Sequence, residues 1–297
     1  MSNERLIEVS NLTFMYPDGT VALRDIDLDI YANQFVALIG QNGSGKTTLA
    51  KCLNGLLRPA QGYVKIDGLD TRTKGMTKKI VTKVGYVFQN PDHQLFNNAV
   101  FKEIAYGPRN IGLKEEEVKV RVEEAARVAG VEEDIFKEHP FFLTKGLRQR
   151  VAIASILAMR PRAIIVDEPT TGQDLRQSLE VMNFLRDLWE KEGHTIIIIT
   201  HEMPIVAEYA RRVVVLGQGR VLMDGTTQEV FAEPELLAKT FVKPPQITRL
   251  AQSLNGNGHR IPRDILSVPR MYDAFMAAYE EHAQADGASL TGARADA

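Results

Sequence analysis

The residues most able to do chemistry form the run Gly40-Gln41-Asn42-Gly43-Ser44-Gly45-Lys46-Thr47-Thr48. Its spacing, G-x-x-x-x-G-K-[S/T], is typical of a phosphate-binding loop. Glycines let the backbone curl so that its N–H groups point at phosphate oxygens, and a helix that starts there adds its positive dipole end. We expect Lys46 to bridge the β- and γ-phosphates of a nucleoside triphosphate and the Thr47 hydroxyl to ligate Mg²⁺.

The flanking segments predict the elements that such a loop needs. The apolar run 35–39 before the loop is typical of a short buried strand, and residues 46–57 repeat apolar side chains at helical spacing. The alternative is a turn of glycine, serine and asparagine that happens to carry a lysine, and the strand and helix argue against it. The chain is therefore predicted to bind a nucleoside triphosphate.

A second strong signal is the apolar run 163–166, which ends in Asp167 and Glu168. Such a run is typical of a buried parallel strand, and open α/β sheets place their ligands at the carboxyl ends of the strands. We expect Asp167 to hold Mg²⁺ through water and Glu168 to polarise the attacking water as a general base. The alternative is a strand end with two solvated acids, which the phosphate-binding loop in the same chain disfavours.

Three other residues are candidates with weaker signals. A core strand at 84–88 leads into Gln89, a candidate to reach Mg²⁺ or the attacking water. Another at 195–200 leads into His201, a candidate to hydrogen-bond the γ-phosphate or that water. Tyr16 lies on a turn between predicted antiparallel strands, where it either stacks on a nucleotide base or packs on its own hairpin. The sequence physics alone leaves both uses of Tyr16 open.

Composition limits the remaining possibilities. The 297 residues carry a net charge of −2 and 44% hydrophobic side chains, which suits a globular protein with a sizeable core. This charge gives no electrostatic case for nucleic acid, so we expect none as a partner. Cys52 is the only cysteine, which excludes an intrachain disulfide and suits a reducing compartment. The first residues show no pattern of a secretory signal, and no apolar run approaches the ~20 residues of a membrane span. If the protein acts at a membrane, we expect it to do so from the cytoplasmic face, through partners.

The chain changes character near residue 236, where we divide it into 5–235 and a C-terminal extension, 236–297. In the extension, Lys243-Pro244-Pro245 breaks the chain, and apolar side chains then recur at helical spacing at Val268, Tyr272, Phe275 and Tyr279. This stripe either packs on the chain's own domain or contacts a partner. The residues from Gln284 onward are small and polar, which predicts a disordered tail.

Taken in order, these motifs resemble those of the ATP-binding cassette (ABC) ATPase family over about residues 5–235. The resemblance implies an α/β P-loop NTPase fold, with a RecA-like core, an antiparallel β-subdomain and an α-helical subdomain, followed here by a small helical extension. It assigns Tyr16 to the adenine-stacking loop, Gln89 to the Q-loop and His201 to the switch histidine. It also identifies residues 40–48 as the Walker A motif and Asp167 with Glu168 as the Walker B motif.

Within that family, residues 88–96 and 105–108 resemble the ATPase subunits of energy-coupling factor (ECF) transporters, which drive uptake of vitamins and transition-metal ions. Pro244-Pro245-Gln246 and the extension are similar to that subgroup too. The resemblance implies an ATP hydrolase that uses Mg²⁺, pairs with a second cassette and docks an integral membrane subunit in a groove that includes 96–108. The alternatives are the ATPase of a binding-protein-dependent importer and a soluble, non-transport ABC ATPase.

Two motifs depart from the family pattern. The signature, usually L-S-G-G-Q, reads Leu143-Thr144-Lys145-Gly146-Leu147, and the D-loop, usually S-A-L-D, reads Thr171-Gly172-Gln173-Asp174. In the family the signature is presented to the ATP of the opposing subunit, and here Thr144 keeps a hydroxyl while Gly146 keeps the close backbone approach. Lys145 adds a cation in place of a glycine. Because the chain's own Walker motifs are complete, we hypothesise a heterodimer with a cassette of regular signature; a homodimer is the alternative.

Overall fold

The computed structural model describes residues 4–257 and 259–292. The strands are β1 (Arg5–Met15), β2 (Val21–Tyr31), β3 (Phe35–Ile39), β4 (Gln61–Ile66), β5 (Leu69–Asp70), β6 (Val84–Val87), β7 (Ala163–Asp167), β8 (Thr195–Ile199), β9 (Arg212–Gly217) and β10 (Arg220–Thr226). The helices are α1 (Lys46–Leu53), α2 (Thr77–Val81), α3 (Val100–Asn110), α4 (Glu115–Ala129), α5 (Lys145–Leu157), α6 (Leu175–Glu190), α7 (Met203–Tyr209), α8 (Thr227–Phe231), α9 (Pro234–Lys239), α10 (Gln246–Gly256) and α11 (Val268–Gly292).

A six-stranded sheet in the order β10-β9-β3-β8-β7-β6 forms the centre of the fold. Neighbouring strands from β9 to β6 pair in parallel, and only β10 is antiparallel. Strands β3, β7 and β8 are buried along their whole length, which explains why they read as continuous apolar runs. Leu38 and Asp167 both pair with Ile199, so the three strands end level with one another. Their carboxyl ends therefore meet at one edge, as the sequence predicts.

A second, antiparallel sheet in the order β2-β1-β4-β5 forms the predicted β-subdomain. Its first strand, β1, runs without a break over 11 residues. Its pairing register shifts between Val9 and Leu12, and Asn11 between them has a left-handed φ of 48°. This bulge explains why the apolar–polar alternation is interrupted within β1.

Two apolar cores cover the two faces of the central sheet. One core joins a face of that sheet to the β-subdomain and α1, through residues such as Leu28, Val36 and Leu49. The other joins the opposite face to α3 through α8, with Val122 and Ile153 among its fully buried members. This second core includes the predicted α-helical subdomain, α3 to α5, so the fold class expected from the sequence is confirmed.

The C-terminal extension has a small core of its own, formed by Ala251, Ile261, Ile265 and Met271. The predicted stripe at Val268, Tyr272, Phe275 and Tyr279 is not buried by the described part of the chain, since these side chains are 49–69% exposed. Leu237 of α9 and Val242 belong to the larger core, so packing against the first domain continues beyond residue 235. Helix α11 continues to Gly292, and the rest of the predicted tail, 293–297, lies outside the described residues. Across the described ranges, no helix is both long and apolar enough to cross a membrane.

Candidate active site

A cavity of about 1550 Å³ opens at the shared carboxyl edge of the central sheet. Nearly all of the predicted nucleotide and metal residues line it, although they come from distant parts of the chain: Tyr16, Gly40, Gln41, Asn42, Gly43, Gly45, Lys46, Thr47, Thr48, Gln89, Asp167, Glu168 and His201. Ser44, which belongs to the same loop, is buried and does not line the cavity. The structure thus brings four separate strand ends to one site.

Two of the three glycines in the loop, Gly40 and Gly45, allow it to pack closely against the chain's own backbone. A Cβ at Gly40 would lie 2.2 Å from the carbonyl oxygen of Leu216, and one at Gly45 would lie 2.9 Å from that of Ala22. The close approach that they permit is therefore to the chain's own backbone. The hydroxyl Oγ of Ser44 is buried and has no hydrogen-bond partner among the described residues. Because Ser44 does not line the cavity, this hydroxyl is not one of the groups that face a bound phosphate.

Lys46 lies across the loop with its charge in the cavity. Its Nζ donates to the carbonyl oxygens of Gly40 at 2.8 Å and Gln41 at 3.0 Å. Burial lowers the pKa of this ammonium group, while the negative charges of Glu168 and Asp167 oppose the shift. The two neutral carbonyls are weak partners for a buried cation, so a triphosphate would be a stronger one.

Two of the three predicted magnesium ligands, Thr47 and Asp167, are in direct contact. Thr47 Oγ1 donates to Asp167 Oδ2 over 3.1 Å, although the residues are far apart in sequence. The phenol of Tyr86 donates to the same oxygen over 2.7 Å. Burial, followed by the charge of Asp167, raises the pKa of Tyr86, which keeps the phenol a neutral donor. A hydroxyl and a carboxylate, with Gln89 on the same cavity wall, are the hard oxygen donors that Mg²⁺ prefers.

Tyr86→Phe is expected to raise the Mg²⁺ concentration needed for half-maximal ATPase activity by about tenfold or more, because groups that orient a ligand affect metal affinity on this scale. The measurement is a Mg²⁺ titration of hydrolysis at fixed ATP. Tyr63→Phe is the matched control, since Tyr63 also donates to a carboxylate, Glu8 Oε1 at 2.6 Å, but outside the cavity. Equal magnesium dependence in the two variants would remove Tyr86 from this role.

Glu168 and His201 form a pair at the mouth of the cavity. Glu168 Oε1 lies 2.9 Å from His201 Nδ1, and the carboxylate is largely shielded while the imidazole is exposed. The backbone N–H of Glu168 donates to the carbonyl of Ile199 over 2.8 Å, which extends the pairing of β7 with β8 by one residue. Glu168 has a left-handed φ of 50°, a strained conformation that is common at active sites. The strand thus bends just where its carboxylate must turn towards the cavity.

Tyr16 satisfies part of both sequence interpretations. Its ring packs edge-on against Phe14 with centroids 5.0 Å apart, and its hydroxyl is 2.9 Å from Thr48 Oγ1. It nevertheless lines the cavity and remains 36% exposed. These contacts fix the ring and leave part of it open, so stacking on adenine stays a prediction.

Thr144 and Gly146 are not brought to this cavity. Thr144 caps α5, where its Oγ1 accepts a hydrogen bond from the backbone N–H of Leu147 at 3.4 Å. A Cβ at Gly146 would meet no described heavy atom within 4 Å, so the first turn of α5 presents an open backbone surface. Both positions fit the expectation that the signature serves a nucleotide on another subunit.

Sequence reasoning missed several residues of the site. Tyr86 lies in β6 opposite Ile165, which puts its phenol within reach of Asp167 on the neighbouring strand. Finding it from sequence would require the strand order and register. The cavity is also bordered by the hairpin 217–220 and by 239–243, just after α9. The hairpin lies against the phosphate-binding loop, where the N–H of Gly219 donates to the carbonyl of Ser44 over 3.1 Å, and no local sequence pattern shows this contact.

The fold and the cavity together define a P-loop nucleoside triphosphatase, and comparisons with known proteins define the class more closely. The chain matches the family described as ABC transporter over residues 23–171. It is 44% identical, over 88% of its length and 93% of the relative's, to the energy-coupling factor transporter ATP-binding protein EcfA2 of Caldanaerobacter subterraneus subsp. tengcongensis. The chain belongs to the ABC transporter family, as the resemblance predicted.

Two solved structures agree with this assignment. The structure of cbiO1 from Clostridium perfringens, part of the ABC transporter complex cbiONQ, is 36% identical with a TM-score of 0.72, covering 84% of this chain and 100% of that one. The cassette MJ0796, in a dimeric post-hydrolysis state bound to ADP and Pi, is 29% identical with a TM-score of 0.67, covering 74% and 98%. The predicted ABC ATPase fold is therefore confirmed.

Proposed function

We propose that this chain is the ATP-hydrolysing subunit of an ECF-type importer for a vitamin or a transition-metal ion, bound to the cytoplasmic face of the membrane through its partners. The observation that carries the ATPase proposal is the Glu168–His201 pair at 2.9 Å, in one cavity with Lys46, Thr47 and Asp167. The ECF assignment is supported by the relatives, one of which is an energy-coupling factor ATPase and another part of a cbiONQ complex.

The residues divide the work of hydrolysis between them. Lys46 and the N–H groups of the loop bind and orient the phosphates, and Tyr16 holds the base. Thr47, Asp167 and Gln89 would hold Mg²⁺, which neutralises charge on the phosphates when it is bound. Glu168 accepts the proton of the attacking water, and His201 fixes the carboxylate and the water in place. Because Glu168 and His201 are already paired, little reorganisation is needed before this proton transfer.

We further propose that two cassettes close around two ATP molecules, each held between one Walker A loop and the opposing signature. The altered signature, with Lys145 in place of a glycine, supports a heterodimer in which the partner's signature is regular. Closure depends on contacts to the γ-phosphate that hydrolysis removes, which makes the cycle a rigid-body movement. That movement is passed to an integral membrane subunit, where selectivity for the transported solute resides.

The docking site for the membrane subunit is proposed on α3 and the turn before it. Phe96 and Tyr106 are exposed by 63% and 46%, and their rings meet edge-to-face with centroids 4.7 Å apart. The buried carboxylate of Glu103 accepts hydrogen bonds from the backbone N–H groups of Phe96 and Asn97 at 3.0 and 2.7 Å, which fixes the turn. A preorganised aromatic pair is typical of the residues that dominate protein interfaces.

The segment after Gln89 also connects this surface to the signature helix. Asp92 Oδ1 lies 2.9 Å from Arg148 Nε on α5, and Arg148 Nη1 donates to the carbonyl of Leu143 over 2.7 Å. Gln94 Nε2 donates to the carbonyl of Ala152 over 2.9 Å. This ion pair and these hydrogen bonds support the proposal that movement of the signature helix reaches the docking site.

The double change Phe96→Ala and Tyr106→Ala is expected to weaken binding of the membrane subunit at least tenfold, because exposed aromatic anchors commonly contribute ~2 kcal/mol or more. Binding of ATP should be unchanged. The measurement is recovery of the membrane subunit with a tagged chain purified from native membranes in mild detergent. Leu56→Ala, which also removes a half-exposed apolar side chain, is the control.

The same purification of the unaltered chain tests the function itself. A polytopic membrane subunit and a second, different cassette should co-purify with it, and mass spectrometry would identify both. A second copy of this chain in place of a different cassette would exclude the heterodimer but keep the transporter. Recovery of the chain alone, or with nucleic acid or ribosomes, would refute the transport function.

A further inference from the structure

Lys145 and the D-loop, which both depart from the family pattern, are in contact. Lys145 Nζ donates to the carbonyl oxygen of Thr171 over 2.7 Å, across a sequence separation of 26 residues. Lys145 belongs to the first turn of α5, while Thr171 lies between β7 and α6. The lysine that replaces a signature glycine thus ties the signature turn to the D-loop of its own chain.

Gly172 is the residue that makes room for this contact. A Cβ at Gly172 would lie 2.4 Å from Lys145 Nζ, and the φ of Gly172 is +70°, a left-handed conformation that favours glycine. The alanine that the family pattern usually has here would therefore displace the ammonium group. Glycine at 172 thus leaves room for the ammonium group of Lys145, in addition to suiting the left-handed backbone at this position.

The D-loop held by Lys145 is also bonded to the catalytic carboxylate. Thr171 donates to Glu168 twice, from its backbone N–H to the carbonyl at 3.3 Å and from its Oγ1 to Oε2 at 3.4 Å. At the other end, Asp174 Oδ1 accepts from the backbone N–H of Gln177 at 2.8 Å and caps α6. A continuous set of contacts therefore runs from Glu168 through Thr171 to Lys145.

We propose that Lys145 is a positioning residue, which fixes the D-loop to the signature turn so that both move as one unit when the cassettes close. This inference rests on the proposed function, because it concerns what the chain offers to the opposing nucleotide. The hydrogen bond from Lys145 compensates for a signature that retains fewer of the family's usual groups. It also links that signature to the chain's own Glu168. A lysine that instead acted directly on the opposing phosphates would not need the Thr171 carbonyl or Gly172.

The first test uses the isolated full-length chain and hydrogen–deuterium exchange. Lys145→Met removes the donor and keeps the length of the side chain, so amide exchange in a peptide spanning 170–177 should accelerate about tenfold, as expected for loss of a charge-assisted hydrogen bond. Lys119→Met, on the exposed face of α4, is the control and should leave that peptide unchanged. Unchanged exchange in Lys145→Met would overturn the proposal.

The second test is a double-mutant cycle with Gly172→Ala, which should displace the ammonium group and accelerate the same exchange. In the Lys145→Met background, Gly172→Ala should add much less, because the displaced group is already absent. Gly193→Ala controls for backbone strain, since Gly193 has a φ of +74° and its Cβ would meet no described heavy atom within 4 Å. Additive effects of Lys145→Met and Gly172→Ala would contradict the proposal.

The third test measures hydrolysis in the complex purified from native membranes. Lys145→Met should lower kcat about tenfold and leave the KM for ATP within about twofold, since the chain's own Walker A is untouched. A lower kcat without any change in exchange would overturn the positioning role, because Lys145 would then act on the opposing nucleotide itself. If the unaltered complex fails to hydrolyse ATP, the proposed function fails, while the exchange data still decide the role of Lys145.

Discussion

Glu168→Gln is expected to lower the steady-state rate of ATP hydrolysis by about 10³-fold, in the middle of the range for loss of a general base. The amide has the same shape as the carboxylate and keeps the hydrogen bond to His201, which lies 2.9 Å away, but it does not accept the proton of the attacking water. Lys46, Thr47 and Asp167 are unaltered, so ATP and Mg²⁺ should still bind. The variant should therefore accumulate as a closed dimer with ATP.

Phosphate release and size-exclusion chromatography with ATP and Mg²⁺ measure the two parts of this prediction. Glu202→Gln is the matched control, because Glu202 lies at the same sheet edge but does not line the cavity, and glutamine still accepts the hydrogen bond from Thr170 Oγ1. Its turnover should stay within about twofold of the unaltered chain, as for most changes outside the site. Undiminished hydrolysis by Glu168→Gln would remove Glu168 from the role of base.

The sequence predicted the parts of this site that depend on local patterns. Residue type and short-range periodicity together placed Lys46 at the start of a helix and Asp167 and His201 at the ends of buried strands, and parallel strands put such ends on a common edge. The contact between Thr47 and Asp167 could be expected in the same way, since two ligands of one ion must be close. Chemistry thus supplied a long-range constraint that periodicity alone does not.

Contacts between residues that were not predicted to share a ligand could not be inferred from the sequence. The bond between Tyr86 and Asp167 depends on which strands are neighbours, and the bond between Lys145 and Thr171 depends on how α5 meets the D-loop. The sequence left open whether the apolar stripe on α11 packs on the chain's own domain or contacts a partner, because helical spacing shows a face but not what covers it. In the structure the stripe is exposed, and the described part of the chain does not cover it.

The β1 bulge illustrates a different limit. A bulge inserts an extra residue that interrupts the apolar–polar alternation of a strand without ending the strand. One strand with a bulge therefore has the sequence pattern of two short strands. Only the pairing of β1 with both β2 and β4 shows that the strand continues through the bulge.

Lys46→Ala is expected to weaken ATP binding about 100-fold, the size of effect that follows from losing a charge-assisted contact of ~2.7 kcal/mol. The change removes the cation that faces the triphosphate and also frees the carbonyl groups of Gly40 and Gln41, which Nζ now holds at 2.8 and 3.0 Å. Burial lowers the pKa of this ammonium, so the folded chain gains little from the charge itself, and the variant should fold. Unchanged circular dichroism would confirm that it does.

Titration calorimetry with ATP and Mg²⁺ measures the affinity, and Lys51→Ala is the matched control because Lys51 lies in the last turn of the same helix, outside the cavity. Comparison with Glu168→Gln separates binding from chemistry. One variant should lose affinity, while the other should keep it and lose turnover, because Lys46 contacts the ground-state phosphates and Glu168 acts on the water. Retained affinity in Lys46→Ala would refute the phosphate-binding role of the loop lysine, and with it the position assigned to the γ-phosphate between Lys46 and His201.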